Sequence, residues 1–290
     1  MKNGIKIAII AVVAIILIVA IVFSIKDLSG GADKVMATTP FEKTVEAKVA
    51  EQIEGKDYSA ARSGFDAIMN YIDTETSITL ADGKKNVAPE EAANAKAMVF
   101  NAYAPLVINK GAEIFARTSW SDSELNQLSS EASRLAGIGT DANLNSQLSN
   151  IVNIVTTYKQ AWGVVTSAKN CSSISNISTL AAKAENYKRD PLTNNASLMA
   201  ALKDVPATAK NAVASSLCSQ AAALKNKYSS YSSWSSFLTK YNTLSNTLDT
   251  YVNSYGSNSK ISQAYSYLST AYDWAYSYFN SYYEYDYYDY

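Results

Sequence analysis

From Ile7 to Phe23 every residue is apolar, and Ile25 carries the run past Ser24. At about 1.5 Å of rise per helical residue this length approaches the roughly 30 Å of a bilayer's hydrocarbon core. A transmembrane helix over residues 7–25 is therefore expected. The alternative is a cleaved signal peptide with its processing site near Ser29-Gly30-Gly31, although the apolar region of such peptides usually runs about 7–15 residues.

Lys2, Lys6 and the amino terminus precede the run, whereas Lys26 and Lys34 follow it with Asp27 and Asp33 beside them. Orientation follows basic residues, so residues 1–6 are expected to form a cytoplasmic tail. Residues 26–40 then form a linker, residues 41–280 a helical domain in the periplasm or outside the cell, and residues 281–290 a tyrosine-rich acidic tail. The expected localisation is a single-pass membrane protein.

Composition narrows the chemistry of the body. The chain contains no histidine, which removes the commonest general base, the commonest zinc ligand and the central member of Ser-His and Cys-His catalytic pairs. Cys171 and Cys218 are the two cysteines, too few for the usual structural zinc sites or for an iron–sulfur cluster held by four thiolates. Charge is balanced, with 25 Lys plus Arg against 26 Asp plus Glu, so no global field favours nucleic acid as a partner. No catalytic residue, cofactor or metal ligand is expected.

Beyond the linker the apolar residues recur with the helical period, and no run of period-2 alternation competes with it. An all-α fold of about nine helices in antiparallel pairs is expected, as an irregular stack or bundle. Phe41, Val45, Val49 and Ile53 line one helix, and Tyr58, Ala61, Phe65, Ile68 and Ile72 the next, with Gly55 as a stop between them. Ala88-Pro89-Glu90-Glu91 opens a longer helix, with proline and acids in its first turn, and Pro105 is expected to kink it. Ser121-Asp122-Ser123-Glu124 reads as a capping box ahead of the stripe Leu125, Leu128, Ala132, Leu135. Leu148 through Val165 and Ile174 through Tyr187 form another pair. Ser197 reads as a helix cap, Pro206 as the start of a helix carrying Val213, Leu217, Leu224 and Tyr228, and Phe237 through Tyr251 as its partner. A last helix runs from Ile261 to Phe279.

Four junctions are alike: Lys56-Asp57-Tyr58-Ser59, Thr118-Ser119-Trp120-Ser121, Lys169-Asn170-Cys171-Ser172 and Ser232-Ser233-Trp234-Ser235. Diverged helix-pair units stacked side by side would produce such a pattern, and an irregular bundle is the alternative. The segment Gly55–Ile68 resembles the second half of a tetratricopeptide repeat. Tyr58, Ala61, Phe65 and Ile68 stand where that family places tyrosine, small, aromatic and small or apolar residues. The resemblance covers this one segment and implies a scaffold for peptides or protein partners, with no catalytic residue.

Three further features bear on function. Cys171 and Cys218 are expected to pair as a disulfide if the body lies in an oxidising compartment. Asn170, Asn176 and Asn195 each begin an Asn-x-Ser triplet that a glycosylating host could modify, or that arises by chance in Ser- and Asn-rich sequence. The terminal tyrosines Tyr282, Tyr283, Tyr285, Tyr287, Tyr288 and Tyr290, interleaved with Glu284, Asp286 and Asp289, offer amphipathic contact area to a partner or form a passive tail. The expected function is a membrane-tethered, non-enzymatic helical scaffold that binds a protein partner outside the cytoplasm. The alternative is an envelope or surface structural protein whose aromatic residues contact glycan or wall polymer.

Overall fold

The computed structural model describes residues 35–285, with side chains as far as Ser281. The segment expected as an anchor, most of the linker and the last five residues lie outside the described residues. Among the described residues no helix is long and apolar enough to cross a membrane.

Nine α-helices fill the described chain: α1 (Pro40–Gln52), α2 (Tyr58–Ser77), α3 (Pro89–Phe115), α4 (Asp122–Leu135), α5 (Ala142–Lys169), α6 (Ile174–Asn186), α7 (Ala196–Asn226), α8 (Trp234–Tyr255) and α9 (Ser259–Tyr285). Two single 3₁₀ turns, η1 (Leu192–Asn194) and η2 (Tyr228–Ser230), precede α7 and α8. The all-α expectation therefore holds for the body. Each of the four similar junctions falls at or just before the start of an even-numbered helix, α2, α4, α6 or α8, which is where a helix-pair organisation puts its internal turn.

Helix starts follow local chemistry. Thr39 caps α1: its hydroxyl accepts from the Glu42 N–H at 3.2 Å while the Glu42 carboxylate accepts from the Thr39 N–H at 3.1 Å. This is a capping box in the pattern T-x-x-E, and it escaped the sequence reading. The box expected at Ser121 and Glu124 does not form. Ser121 stands at the cap position without a side-chain bond, and Glu124 is held instead by the Arg117 guanidinium at 3.0 Å, a contact in which both partners are charged. Asp57 caps α2 through the Ala60 N–H at 2.9 Å, and Gly55, at φ +69°, supplies the left-handed residue that turns α1 into α2.

Two prolines lie inside helices. α3 runs unbroken through Pro105, and α7 runs unbroken through Pro206, which therefore does not begin a helix as expected. An interior proline costs about 3 kcal/mol. The stripe Leu198, Leu202, Val205, Ala209 and Val213 is buried on both sides of Pro206, and fully burying such side chains contributes about 1.5–3 kcal/mol each, so packing outweighs the local penalty.

The described body divides into two compact units. The first comprises the residues up to Lys159 together with Asp190–Ser197; the second comprises Gln160–Arg189 and the residues from Leu198 onward. In the first unit α1, α2 and α3 pack on one another around Val45, Phe65, Ile68, Ile72 and Phe100. In the second, Phe237, Leu244, Leu248 and Tyr251 of α8 are buried with Ile261, Ala264 and Leu268 of α9.

The α1–α2 contact depends on a missing side chain. A Cβ on Gly64 would lie 2.4 Å from the Gln52 carbonyl oxygen and 2.8 Å from its Cβ. Gly64→Ala should therefore destabilise by about 1–3 kcal/mol, because separating two backbones costs more than the roughly 1 kcal/mol that alanine gains inside a helix. Chemical denaturation should show a lower midpoint at unchanged slope; a raised midpoint would mean that the helices separate freely.

Candidate functional site

The most distinctive surface of the second unit is built by η2, α8 and α9 from aromatic residues. α9 places Tyr272, Tyr276 and Phe279 at intervals of four and three, hence on one flank of the helix. Their ring centroids lie 5.4, 5.9 and 6.1 Å from that of Trp234, at the start of α8. Trp234 in turn stacks on the buried Phe237 at 5.6 Å, which fixes its plane, and Tyr241 reaches Tyr272 at 5.3 Å.

The opposite flank carries Trp274 and Tyr278, again four residues apart. Tyr228 of η2 stands 5.8 Å from each, edge-on to Tyr278. Tyr228, Trp274, Ser277 and Tyr278 line an open cavity of about 460 Å³. Tyr278 also meets Phe279 at 5.1 Å, so the two flanks form one continuous array. Lys225, in the last turn of α7, brings its ammonium within 4.7 Å of the Tyr267 ring and 5.7 Å of the Trp274 ring.

The array is not closed over. Tyr272, Trp274 and Tyr276 are 38, 47 and 52% exposed, although each is large enough to be a core residue. Burial raises the Tyr241 hydroxyl above its usual range, with Tyr272, Asp273 and Asp249 adding to the effect. Tyr265 is pushed up to about 12, first by burial and then by its 2.5 Å hydrogen bond to the Asp249 carboxylate. Both stay neutral at physiological pH, so the surface offers rings and hydroxyls, with Lys225 and Asp273 as its nearby charges.

The tail tyrosines relate to this surface by helical register. α9 runs to Tyr285, six residues beyond the Phe279 expected as its end. Tyr282 and Tyr283 occupy backbone positions one helical turn beyond Tyr278 and Phe279. Tyr285 closes the helix; Tyr287, Tyr288 and Tyr290 lie outside the described residues. Trp234, Tyr228 and Trp274 are not singled out as site residues by the sequence. The signal was present in the i, i+4 aromatic spacing of α9, but which side of that helix faces the core cannot be read from α9 alone.

The disulfide expected of Cys171 and Cys218 is conditional on an oxidising compartment; in this structure both are buried free thiols. The Cys171 Sγ lies 3.4 Å from the Ser173 carbonyl, and Cys171 lines a second cavity, of about 470 Å³, with Thr208, Asn211 and Ser215 of α7. Cys218 lies two turns beyond Asn211 on that helix, with its sulfur 3.4 Å from the Gln263 carboxamide oxygen on α9. Of the three triplets, Asn170 and Asn176 are exposed and Asn195 is buried, so a glycan could reach the first two alone in the folded chain.

The first unit holds a buried polar cluster around Glu131. Glu131 of α4 accepts from Arg62 Nε of α2 at 2.8 Å and from the Tyr103 hydroxyl of α3 at 3.5 Å. Burial, then the Glu131 charge, raises Tyr103 far above its ordinary range, and Tyr58, stacked at 6.3 Å on Tyr103, is raised by the same two causes. These residues lie on three helices and tie them together, and the rings pack directly on one another. Among the described residues no group of three or more acids or thiols is disposed to hold a metal ion.

No family model matches the chain, and neither does any curated protein or solved structure.

Proposed function

We propose that the protein is a membrane-tethered, non-enzymatic helical scaffold that binds a protein partner outside the cytoplasm through the aromatic surface of η2, α8 and α9. The observation that carries this reading is the partial exposure of Tyr272, Trp274 and Tyr276 within a pre-packed array. Leaving such rings in water invites non-specific association, and tryptophan and tyrosine held rigidly by neighbours are what the centres of protein interfaces are made of. Trp234, stacked on Phe237, restricts the movement of Tyr272 and Tyr276, so little side-chain entropy is lost on binding.

Photo-crosslinkers placed at Tyr276 should yield one stoichiometric adduct in intact envelopes. With that adduct identified, Trp274→Ser should weaken its binding by about thirtyfold, the size of a hot-spot loss of roughly 2 kcal/mol, while the melting temperature stays within a degree or two. Unchanged affinity would remove the aromatic surface from the interface.

A second reading rests on the cavity between Tyr228, Trp274 and Tyr278. A tryptophan face flanked by tyrosine hydroxyls also suits the apolar face of a sugar ring, which would make the ligand a glycan or wall polymer. Sedimentation of the purified protein with such a polymer, lost in Trp274→Ser, separates this reading from the first.

A further inference from the structure

The large apolar side chains that are exposed among the described residues fall into two groups. Three belong to the aromatic surface. The others are Met36, Ile78 and Leu80 of the first unit, which are 73, 40 and 46% exposed.

Met36 precedes α1 by four residues. Ile78 and Leu80 belong to the connection between α2 and α3, a small hairpin closed by Leu80 N–H to Lys84 O at 2.7 Å and Asn86 N–H to Ile78 O at 3.0 Å, with Gly83 at φ +82° in its turn. Its base is held by the Asn86 to Glu75 hydrogen bond at 2.8 Å and by the buried Val87. The hairpin therefore presents its two apolar side chains from a fixed backbone.

The register of the helices decides which end of the unit this is. α1 and α2 are antiparallel neighbours, and Gln52 lies against Gly64. Counting twelve residues back along α1 and twelve forward along α2 brings Pro40 level with Thr76. Asn94, one turn into α3, donates to Glu42, one turn into α1, at 2.9 Å, which places the start of α3 at the same end. The hairpin thus projects just past the point where the chain enters α1. The seventeen-residue apolar run of Ile7–Phe23 is connected to that point, and the fourteen residues between Ile25 and Pro40 span at most roughly 50 Å.

We infer that Met36, Ile78 and Leu80 form a lipid-contacting surface that seats the first unit on the bilayer to which the apolar run tethers it. The inference rests on the tethered reading above. Tethering makes a contact by a few side chains effectively intramolecular, so a small apolar surface suffices to orient the body. The charges at this end are mixed: Lys84 and Lys85 lie on the hairpin, Lys84 paired with Asp82 at 3.5 Å, and Glu90 and Glu91 stand in the first turn of α3. Contact therefore depends on apolar insertion and needs no anionic lipid.

The test uses the full chain reconstituted into phosphatidylcholine vesicles, with an environment-sensitive fluorophore on Leu80→Cys, and on Lys56→Cys as the control. Lys56 stands at the other end of α2, whose twenty residues extend about 30 Å. Cys171 and Cys218 are buried, and wild-type chain treated with the same reagent gives the background. The Leu80 label should be blue-shifted and quenched several-fold more by nitroxide lipid than by aqueous iodide, and the Lys56 label the reverse. With the fluorophore moved to Met36→Cys, Ile78→Asp should abolish the lipid quenching. If the chain floats with the vesicles through alkaline washing but both labels are quenched only from water, the hairpin inference is overturned and the tether stands. If the chain does not float at all, both fall.

Discussion

Replacing Phe65 by alanine should cost about 3–5 kcal/mol, the range for removing a fully buried aromatic ring. Phe65 is completely enclosed at the centre of α2. Its ring stacks on Tyr103 of α3 at 4.6 Å, and the Arg134 guanidinium of α4 covers it at 4.6 Å while pairing with Asp66. One substitution would thus remove apolar burial, an aromatic pair and a cation–π contact. In a body of this size the melting temperature should fall by roughly 10 °C. Phe65→Leu, which keeps most of the volume, should lose less than half as much. A melting temperature unchanged in Phe65→Ala would take the ring out of the core and with it the helical stripe from Tyr58 to Ile72.

The second large effect is a dependence of stability on pH, carried by Glu42. Burial by itself would raise this carboxyl, but hydrogen bonds donated by the Thr38 N–H at 2.7 Å, the Asn94 amide at 2.9 Å, the Thr38 hydroxyl at 2.8 Å and the Thr39 N–H at 3.1 Å outweigh it and hold the group at about 2, against 4.5 ordinarily. The folded value lies below the unfolded one. The ionised carboxylate therefore adds stability that is complete above about pH 5 and is lost as pH falls through 4.5 towards 2. At 1.36 kcal/mol per unit the contribution is about 3 kcal/mol. Glu42→Gln should be less stable than wild type by about that amount at pH 7, and the gap should close as pH approaches 2. A gap independent of pH would show that shape, not charge, is what the cap requires.

Much of the body's helical pattern was legible from the sequence because burial leaves a periodic trace. The stripes of Val45 and Val49, of Phe65 and Ile72, and of Leu125, Leu128 and Leu135 are spaced for one helix face, and those residues are buried. Errors came where two local signals competed. Pro206 reads as a helix start because proline is favoured in a first turn, yet the apolar stripe continues on both sides of it, and three-dimensional packing settles that competition. Ser121 and Glu124 fit a capping box as well as Thr39 and Glu42 do; what separates them is Arg117, which claims Glu124. The sequence puts the end of the last helix at Phe279 because the later residues lack an apolar face, whereas α9 runs on to Tyr285.

By itself the amino-acid sequence determines the all-α class of the body, most of the buried stripes, the thiol inventory and the absence of any imidazole, because these depend on composition and on contacts within a few residues along one chain. Tertiary structure decides the remainder. The closeness of Trp234 to Tyr272, Tyr276 and Phe279 joins residues some forty positions apart, and the exposure of Trp274 depends on where α7 and α8 leave α9 uncovered. The free state of Cys171 and Cys218 depends on which helix faces which, and the shared end of Met36 and the Ile78–Asn86 hairpin on the register between α1 and α2. Each is a relation between distant segments, set by helix packing, and no local pattern encodes it.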